Sequence, residues 1–511
     1  MIAMGKGKKE RQKDKKTKNI GNCSLDGDEL QGIEINKALP LDTIKTLCTK
    51  SRYVQILLVL TLIGFFLRFY NLGLNSLWLD EASTFSISKG SFFEIWQVTA
   101  GGEFNPPLFY WIEHIMLLFG NSEFVLRFIP ALLGALTIPL VYFCGKEFLD
   151  RNCGLIAAAL IAFSPFHIFY SQEARAYSTM LFFVALALIF YLKALKSDTA
   201  RDWILFGICS ALGFWFHFYA FVIISALMIY TIAVRSTAIV KNFSAIQPFA
   251  LGVIAFIIAT VPLIVVTVQL FITRTSSAPT YGIQGIAIIG ETLKQISGFN
   301  EIGFYILFSL FIVGLISLFM SEKNKVILLI TIIVLTFVIS FFLSFKMPMI
   351  PRYLIFLLPV YFVGIASSYQ LLYRIIQSPA IVYGLIVICV LISAPTLLSY
   401  YSGMSKDDWR GFAGALQSKT QNGDSIVLVP GYMSQPFNYY YSNATDQTFE
   451  YGAYTGNELQ ALYALKENRT MYFVVTSDIA AANPNGDAVA WLQAHTTSLG
   501  QQTGIILLVA T

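Results

Sequence analysis

The chain has 511 residues, of which 56% are hydrophobic, 15% aromatic and only 13% charged, and its mean hydropathy is +0.64. Soluble domains carry about 25% charged residues, so the composition excludes a large soluble enzyme, and it is too varied for a fibre or a disordered chain. The net charge of +5 is no argument for nucleic acid, because the basic residues gather in an N-terminal run and at the ends of apolar segments.

Residues 1–52 form a polar, basic tail opening with GKGKKERQKDKKTK. Lys and Arg resist translocation, so the tail is expected to stay cytoplasmic; no signal-peptide core precedes it and no cleavage is expected. Residues 53–400 carry eleven apolar segments, at 53–70, 124–147, 154–170, 177–195, 203–218, 219–234, 247–270, 302–320, 326–344, 354–373 and 380–400. In lipid such segments must be helices. The continuous run 203–234 is divided at His217-Phe218-Tyr219, because a single helix of about 32 residues would reach ~48 Å across a ~30 Å core. With the tail inside, Lys146/Arg151, Lys193/Lys196/Arg201, Arg235/Lys241, Lys323/Lys325 and Arg374 fall in inner loops. The outer loops are poorer in cations, and the odd span count places the C-terminus outside. The expected localisation is the plasma membrane, multi-pass.

Two outer segments are long. The first, 71–123, mixes Trp and Phe with polar residues, the composition of helices lying in the membrane interface. The second, 401–511, reads as a small α/β domain: helical patterns at 407–419, 457–467 and 487–495 alternate with β-rich runs at 425–430, 471–477 and 504–510. No Gly-rich phosphate loop follows its first strand, which argues against a nucleotide site. Asn443 and Asn468 begin glycosylation-type triplets. The six cysteines show no ligand spacing and imply no disulfide framework.

The informative polar residues lie at the outer ends of spans. Asp80-Glu81 follow the first span among apolar neighbours (LWLDEASTF), a setting that raises carboxylate basicity and suits a general base. Asn105-Pro106-Pro107 opens an aromatic run and also reads simply as a helix start. Gln172-Glu173-Ala174-Arg175-Ala176-Tyr177 joins the third and fourth spans, and Arg352-Tyr353 begins the tenth. An arginine on the cation-poor face calls for an anionic partner, and its planar fork suits phosphate. Two carboxylates and two arginines on one face fit a reaction of an anionic lipid.

These residues carry a family resemblance. WLDEASTFS, NPPLFYW, the stretch from EFVLRFIPALLG to SQEARAY, PRYLIFLLP and DDWRGF resemble, in order and sidedness, the GT-C membrane glycosyltransferases, specifically the protein O-mannosyltransferase and lipid A aminoarabinose transferase group. The resemblance spans about residues 53–440, with Asn105 where the mannosyltransferases often have His. It implies a donor sugar on polyprenyl phosphate, transferred with inversion to a hydroxyl of a protein, lipid or glycan. Asp80 matches the catalytic acidic position, with Glu81 orienting the acceptor or tuning Asp80. Arg175 and Arg352 would hold the phosphate, with Tyr177 and Tyr353 as hydrogen-bonding candidates. Asn105, Glu173 (holding Arg175) and His217 would support the site. The resemblance implies no cofactor beyond a divalent ion used by some members, which Asp80-Glu81 would hold; no metal site is legible in the sequence itself. The competing readings are a transporter or flippase for lipid-linked sugars, which near charge-free spans disfavour, and a non-catalytic glycolipid-binding relative.

Overall fold

The computed structural model describes residues 51–103, 105–275, 279–441, 448–466 and 469–510. Residues 1–50 of the basic tail with Cys23 and Cys48, the Asn443 triplet, and Asn468 of the second triplet lie outside them. Among the described residues nine helices are long and apolar enough to cross a membrane, or ten if one bent pair counts as a single span. They include α1 (Arg52–Phe69), α5 (Glu123–Phe148), α8 (Tyr177–Ser197), α10 (Ala220–Lys241) and α11 (Gln247–Arg274). Further along are α13 (Glu301–Ser321), α14 (Lys323–Leu343) and α17 (Ala380–Tyr401). The expected tenth span is composite: a 3-10 turn, Pro351–Leu357, leads into α15 (Leu358–Ala366) and α16 (Ser368–Ile376). The split at His217 is present, α9 (Ala200–Phe216) ending there and α10 starting at Ala220. At 17 residues, α9 is only about 25 Å long, which is why it falls short of the length of a lone span.

The third expected span is broken. α6 (Arg151–Phe163) and α7 (Pro165–Ser171) meet at 57°, because Pro165 has no N–H to continue the ladder. The freed carbonyls of Ile161 and Ala162 accept from the wholly buried Arg68 guanidinium at 2.9 and 3.2 Å, and Arg68 also meets His167 Nδ1 at 2.7 Å. α5 packs on α1, α6 and α8, and α9 on α8 and α11. Gly207 and Gly252 sit at the last of these contacts, where an added Cβ would run into backbone, a small-residue interface of the kind that holds helices together in lipid. α15 is buried at every residue, whereas α1, α11, α13, α14 and α17 turn Phe66, Val265, Phe319, Val334 and Leu398 outward.

The first long loop folds as α2 (Leu79–Ser88), α3 (Phe92–Ala100) and α4 (Pro107–Met116), leaving Phe92, Phe93, Leu118 and Phe119 exposed. A further amphipathic helix, α12 (Ala287–Ile296), lies between α11 and α13. The C-terminal segment contains α18 (Trp409–Gln417), β1 (Ser425–Val429), α19 (Ser434–Tyr440), β2 (Phe449–Gly452) and α20 (Gly456–Tyr463). It continues with β3 (Met471–Thr476), α21 (Ile479–Ala482), α22 (Asp487–His495), β4 (Thr496–Gln502) and β5 (Ile505–Ala510). Sheet order is β2-β1-β3-β5-β4; β1 runs parallel to β2 and β3, and β5 antiparallel to β3 and β4. Strand alternation sends Ile426 and Leu428 toward Trp409, Phe412 and Phe437, and Val427 and Phe473 toward Leu459 and Trp491, so helices cover both faces.

Candidate active site

The junction between α7 and α8 assembles the site one residue at a time. Gln172 Nε2 donates to the carbonyls of Leu67, Arg68 and Tyr70 at the end of α1, at 3.3, 3.0 and 2.8 Å. Those carbonyls have no partner within their own helix end. The Glu173 carboxylate meets Lys406 Nζ at 3.3 Å. The Ala174 N–H donates to Glu81 Oε1 at 2.8 Å. Arg175 turns to Asp80: its Nη1 donates to the Asp80 carbonyl at 3.2 Å and its Nε lies 4.0 Å from the carboxylate. One turn of loop thereby fixes α1, α2 and the segment after α17 in a common frame.

Asp80 occupies the first turn of α2, its side chain 26% exposed. Its Oδ2 also accepts from Arg352 Nη2 at 3.2 Å. The expected apolar setting is therefore corrected: the groups facing this carboxylate are two guanidiniums, not its sequence neighbours. Arg352 is framed by rings, with Trp78, Tyr177 and Tyr353 centred 5.0, 5.6 and 6.0 Å from it, cation–π contacts that hold its plane. Behind them Tyr353 stacks on Tyr219 at 4.7 Å, and the buried His217 lies 5.4 Å from Tyr177 and 5.3 Å from Tyr353. The Tyr177 hydroxyl and His217 Nε2 have no hydrogen-bond partner among the described residues. Asp80, Arg175, Arg352, Tyr177, Tyr353 and His217 are thus brought together as expected from their common sidedness.

Glu81 is not part of that open cluster. It is fully buried, and Arg127 grips it in a fork, Nε on Oε1 at 2.7 Å and Nη2 on Oε2 at 2.8 Å. Lys406 Nζ adds a contact at 3.1 Å. Burial alone would raise its pKa; Arg127, Lys406 and the Ala174 N–H outweigh it and hold Glu81 well below the usual carboxylate range. The orienting or tuning role expected of it is replaced by a tie between elements. Glu173 is corrected likewise: its carboxylate is on Lys406, not Arg175, and burial pushes its pKa up, against the pull of Lys406 and with the push of Glu81. Asn105 forms a satellite with two residues that sequence reasoning missed, donating to Glu103 Oε1 at 3.1 Å and to the Tyr110 hydroxyl at 3.4 Å. Nor do Asp80 and Glu81 make a joint cation site, since the donors on Glu81 occupy both its oxygens. Among the described residues no group of three or more His, Cys, Asp or Glu side chains is placed to hold a metal ion.

Arg352 also lines a cavity of about 540 Å³, together with Tyr170, Tyr281, Ile350, Glu291 and Gln295. The segment after α17 closes the other flank. Ser405 N–H donates to Asn75 Oδ1 at 2.9 Å, Arg410 pairs with Glu123, and Tyr440 accepts from Leu77 N–H at 2.7 Å while donating to Glu123 at 2.6 Å. Lys406 and Arg127 are the other residues missed by sequence reasoning as site builders.

A long-helix membrane core, an acid–arginine cluster where the first long loop meets the α7–α8 junction and the start of the composite tenth span, and a small C-terminal sheet domain define a polytopic membrane protein with its candidate site at one end. Residues 105–265 match the family described as dolichyl-phosphate-mannose-protein mannosyltransferase. ArnT from Cupriavidus metallidurans bound to undecaprenyl phosphate is 13% identical, with 89% of this chain and 98% of that chain aligned at a TM-score of 0.55; its apo state gives 0.57. The apo oligosaccharyltransferase of Archaeoglobus fulgidus is 14% identical over 89% of this chain and 74% of its own, at a TM-score of 0.53. An uncharacterised protein of Aquifex aeolicus (strain VF5) is 31% identical over 130 residues, and the match spans 26% of its length. The chain thus shares the fold of these transferases, and about a third of it matches the mannosyltransferase family model, the group its motifs resemble.

Proposed function

We propose that the protein is a membrane glycosyltransferase that moves a sugar from a polyprenyl-phosphate donor to a hydroxyl acceptor at the extracytoplasmic face. The observation that carries this reading is the partly exposed Asp80 carboxylate held by Arg352 at 3.2 Å beside a cavity that Arg352 itself lines. A donor phosphate competes for the same two guanidiniums, and in displacing Asp80 from them it leaves the carboxylate free to take a proton. The acceptor oxygen then attacks the anomeric carbon from the face opposite the phosphate. Its proton passes to Asp80, the bond from anomeric carbon to phosphate oxygen breaks, and its electron pair remains on that oxygen. Arg175 and Arg352 stabilise the charge gained there, an interaction stronger in the transition state than in the ground state. The chain's similarity to an ArnT crystallised with undecaprenyl phosphate supports a lipid phosphate as the donor.

The test is transfer by purified protein in nanodiscs from undecaprenyl phosphate carrying radiolabelled hexoses, in wild type and Asp80→Asn. The variant is expected to lose about 10²–10⁴ in rate, the usual contribution of a general base, while keeping the wild-type elution profile and melting temperature. Activity within a few-fold of wild type would remove Asp80 from the chemistry.

A further inference from the structure

The cavity beside Arg352 has an unusual wall. Ala287, Glu291 and Gln295 stand at i, i+4 and i+8 on α12 and all three line it, so one stripe of that helix faces the space. Ile288, Thr292 and Ile296 bury the other side of α12. Gln295 Nε2 donates to Glu291 Oε1 at 2.7 Å, which fixes the two side chains relative to each other. Tyr170, Tyr281, Ile283, Ile350 and Pro351 make the remaining lining largely apolar or aromatic, and Arg352 joins it. The space is thus apolar-walled, with a guanidinium and a carboxylate–amide pair as its polar groups. About 540 Å³ falls in the range of small-ligand sites, which combine apolar walls with a few placed polar groups.

We infer that Glu291 and Gln295 form a subsite for the hydroxyl groups of the sugar carried on the lipid phosphate. The inference rests on the donor reading above and extends it to which part of the donor occupies this cavity. The sugar is bonded directly to the phosphate, so a phosphate on Arg352 puts the sugar in the space Arg352 lines. A prenyl tail there would strip water from a carboxylate and an amide and return no hydrogen bond, which is unfavourable. Sugar hydroxyls return them: the carboxylate accepts two O–H donors, and the amide both accepts and donates. The pairing of a charged acceptor with an amide fits a neutral, polyhydroxylated ring.

Binding separates sugar recognition from phosphate recognition. Dissociation constants are measured for bare undecaprenyl phosphate and for the same lipid carrying glucose, mannose or galactose, using full-length protein in nanodiscs. Glu291→Ala and Gln295→Ala are expected to weaken at least one hexosyl lipid on the order of tenfold, as the loss of one or two hydrogen bonds implies, and to leave the bare lipid within twofold. Glu291→Gln, which keeps an acceptor, is expected to restore part of the loss. Equal weakening of bare and hexosyl lipids, or no change in any hexosyl lipid, overturns the subsite. Failure of wild type to bind either lipid, or Arg352→Ala binding the bare lipid as tightly as wild type, overturns instead the donor reading on which it rests.

Discussion

At the scale of single residues, what distinguishes Arg352 is that its charge is used twice, on Asp80 and over three rings. Trp78, Tyr177 and Tyr353 lie within about 6 Å of its guanidinium, cation–π contacts to a charge that also offers a planar fork of donors, which an ammonium lacks. Arg352→Lys therefore keeps the charge and loses the paired donors. In the proposed reaction kcat should fall on the order of tenfold for the lysine and about 10²–10³-fold for Arg352→Ala, the range for removing one transition-state donor. Arg175→Ala should behave similarly, its contacts to Asp80 and to Thr84 Oγ1 at 3.3 Å fixing it in place. Single-turnover kinetics with the hexosyl lipid decide the matter: a rise in KM at constant kcat would mean uniform donor binding, and normal turnover in both variants would remove the phosphate role. Both arginines were visible in the sequence because they break the charge rule for their face. Lys406 and Arg127 were not. No periodicity connects positions 81, 127, 173 and 406, which only the folded chain brings into contact.

The element scale turns on Glu81, where α2, α5, the α7–α8 junction and the segment after α17 converge. Breaking a buried pair leaves an uncompensated charge, at roughly 3–5 kcal/mol. Glu81→Gln strips the anion from both Arg127 and Lys406 and should lower stability by about that much. The acid dependence follows from the direction of the shift. Its arginine and lysine partners hold Glu81 well below the 4.5 of a free glutamate in the folded protein, so its stabilisation is complete above about pH 4.5 and is lost as pH falls below that. Thermal unfolding in detergent from pH 6 to pH 3 should therefore show wild type losing stability over that window and Glu81→Gln, already lower, losing less. Parallel curves would mean that Glu81 carries no linked stability. Among the elements themselves, strands with continuous apolar runs (β1, β3, β5) announced themselves, whereas β2 and β4 did not. Those two are the outer strands of the sheet, and FEYG and TTSLGQQ are largely exposed, so no buried face imposes an alternation. α12 escaped for a related reason: its Ile288–Thr292–Ile296 stripe is short and sits among loop residues, too brief to show a helical period.

For the whole molecule, loop charge supplies the argument for which way the assembly faces. The acid–arginine cluster, the first long loop and the C-terminal sheet domain lie at one end of the bundle, joined by the contacts of Asn75, Glu123, Lys406, Arg410 and Tyr440. The loops of the opposite end carry Lys146, Arg151, Lys193, Lys196, Arg235, Lys323 and Lys325, and that excess is the signature of the cytoplasmic side. The four described cysteines are all buried, so after replacement of Cys23 and Cys48 an impermeant thiol reagent has little native background. Ser88, a natural first choice for the loop, is fully buried, whereas Ser91, Ser236 and Ser418 are exposed. In intact cells Ser91→Cys and Ser418→Cys should label and Ser236→Cys should label only after permeabilisation. Labelling of Ser236→Cys alone would invert the protein and put Asp80 on the cytoplasmic face, where a donor would not need to cross the bilayer before transfer. Labelling of Ser91→Cys without Ser418→Cys would contradict the contacts between Lys406 and Glu81 at 3.1 Å and between Arg410 and Glu123, because residues so joined share one side of the membrane.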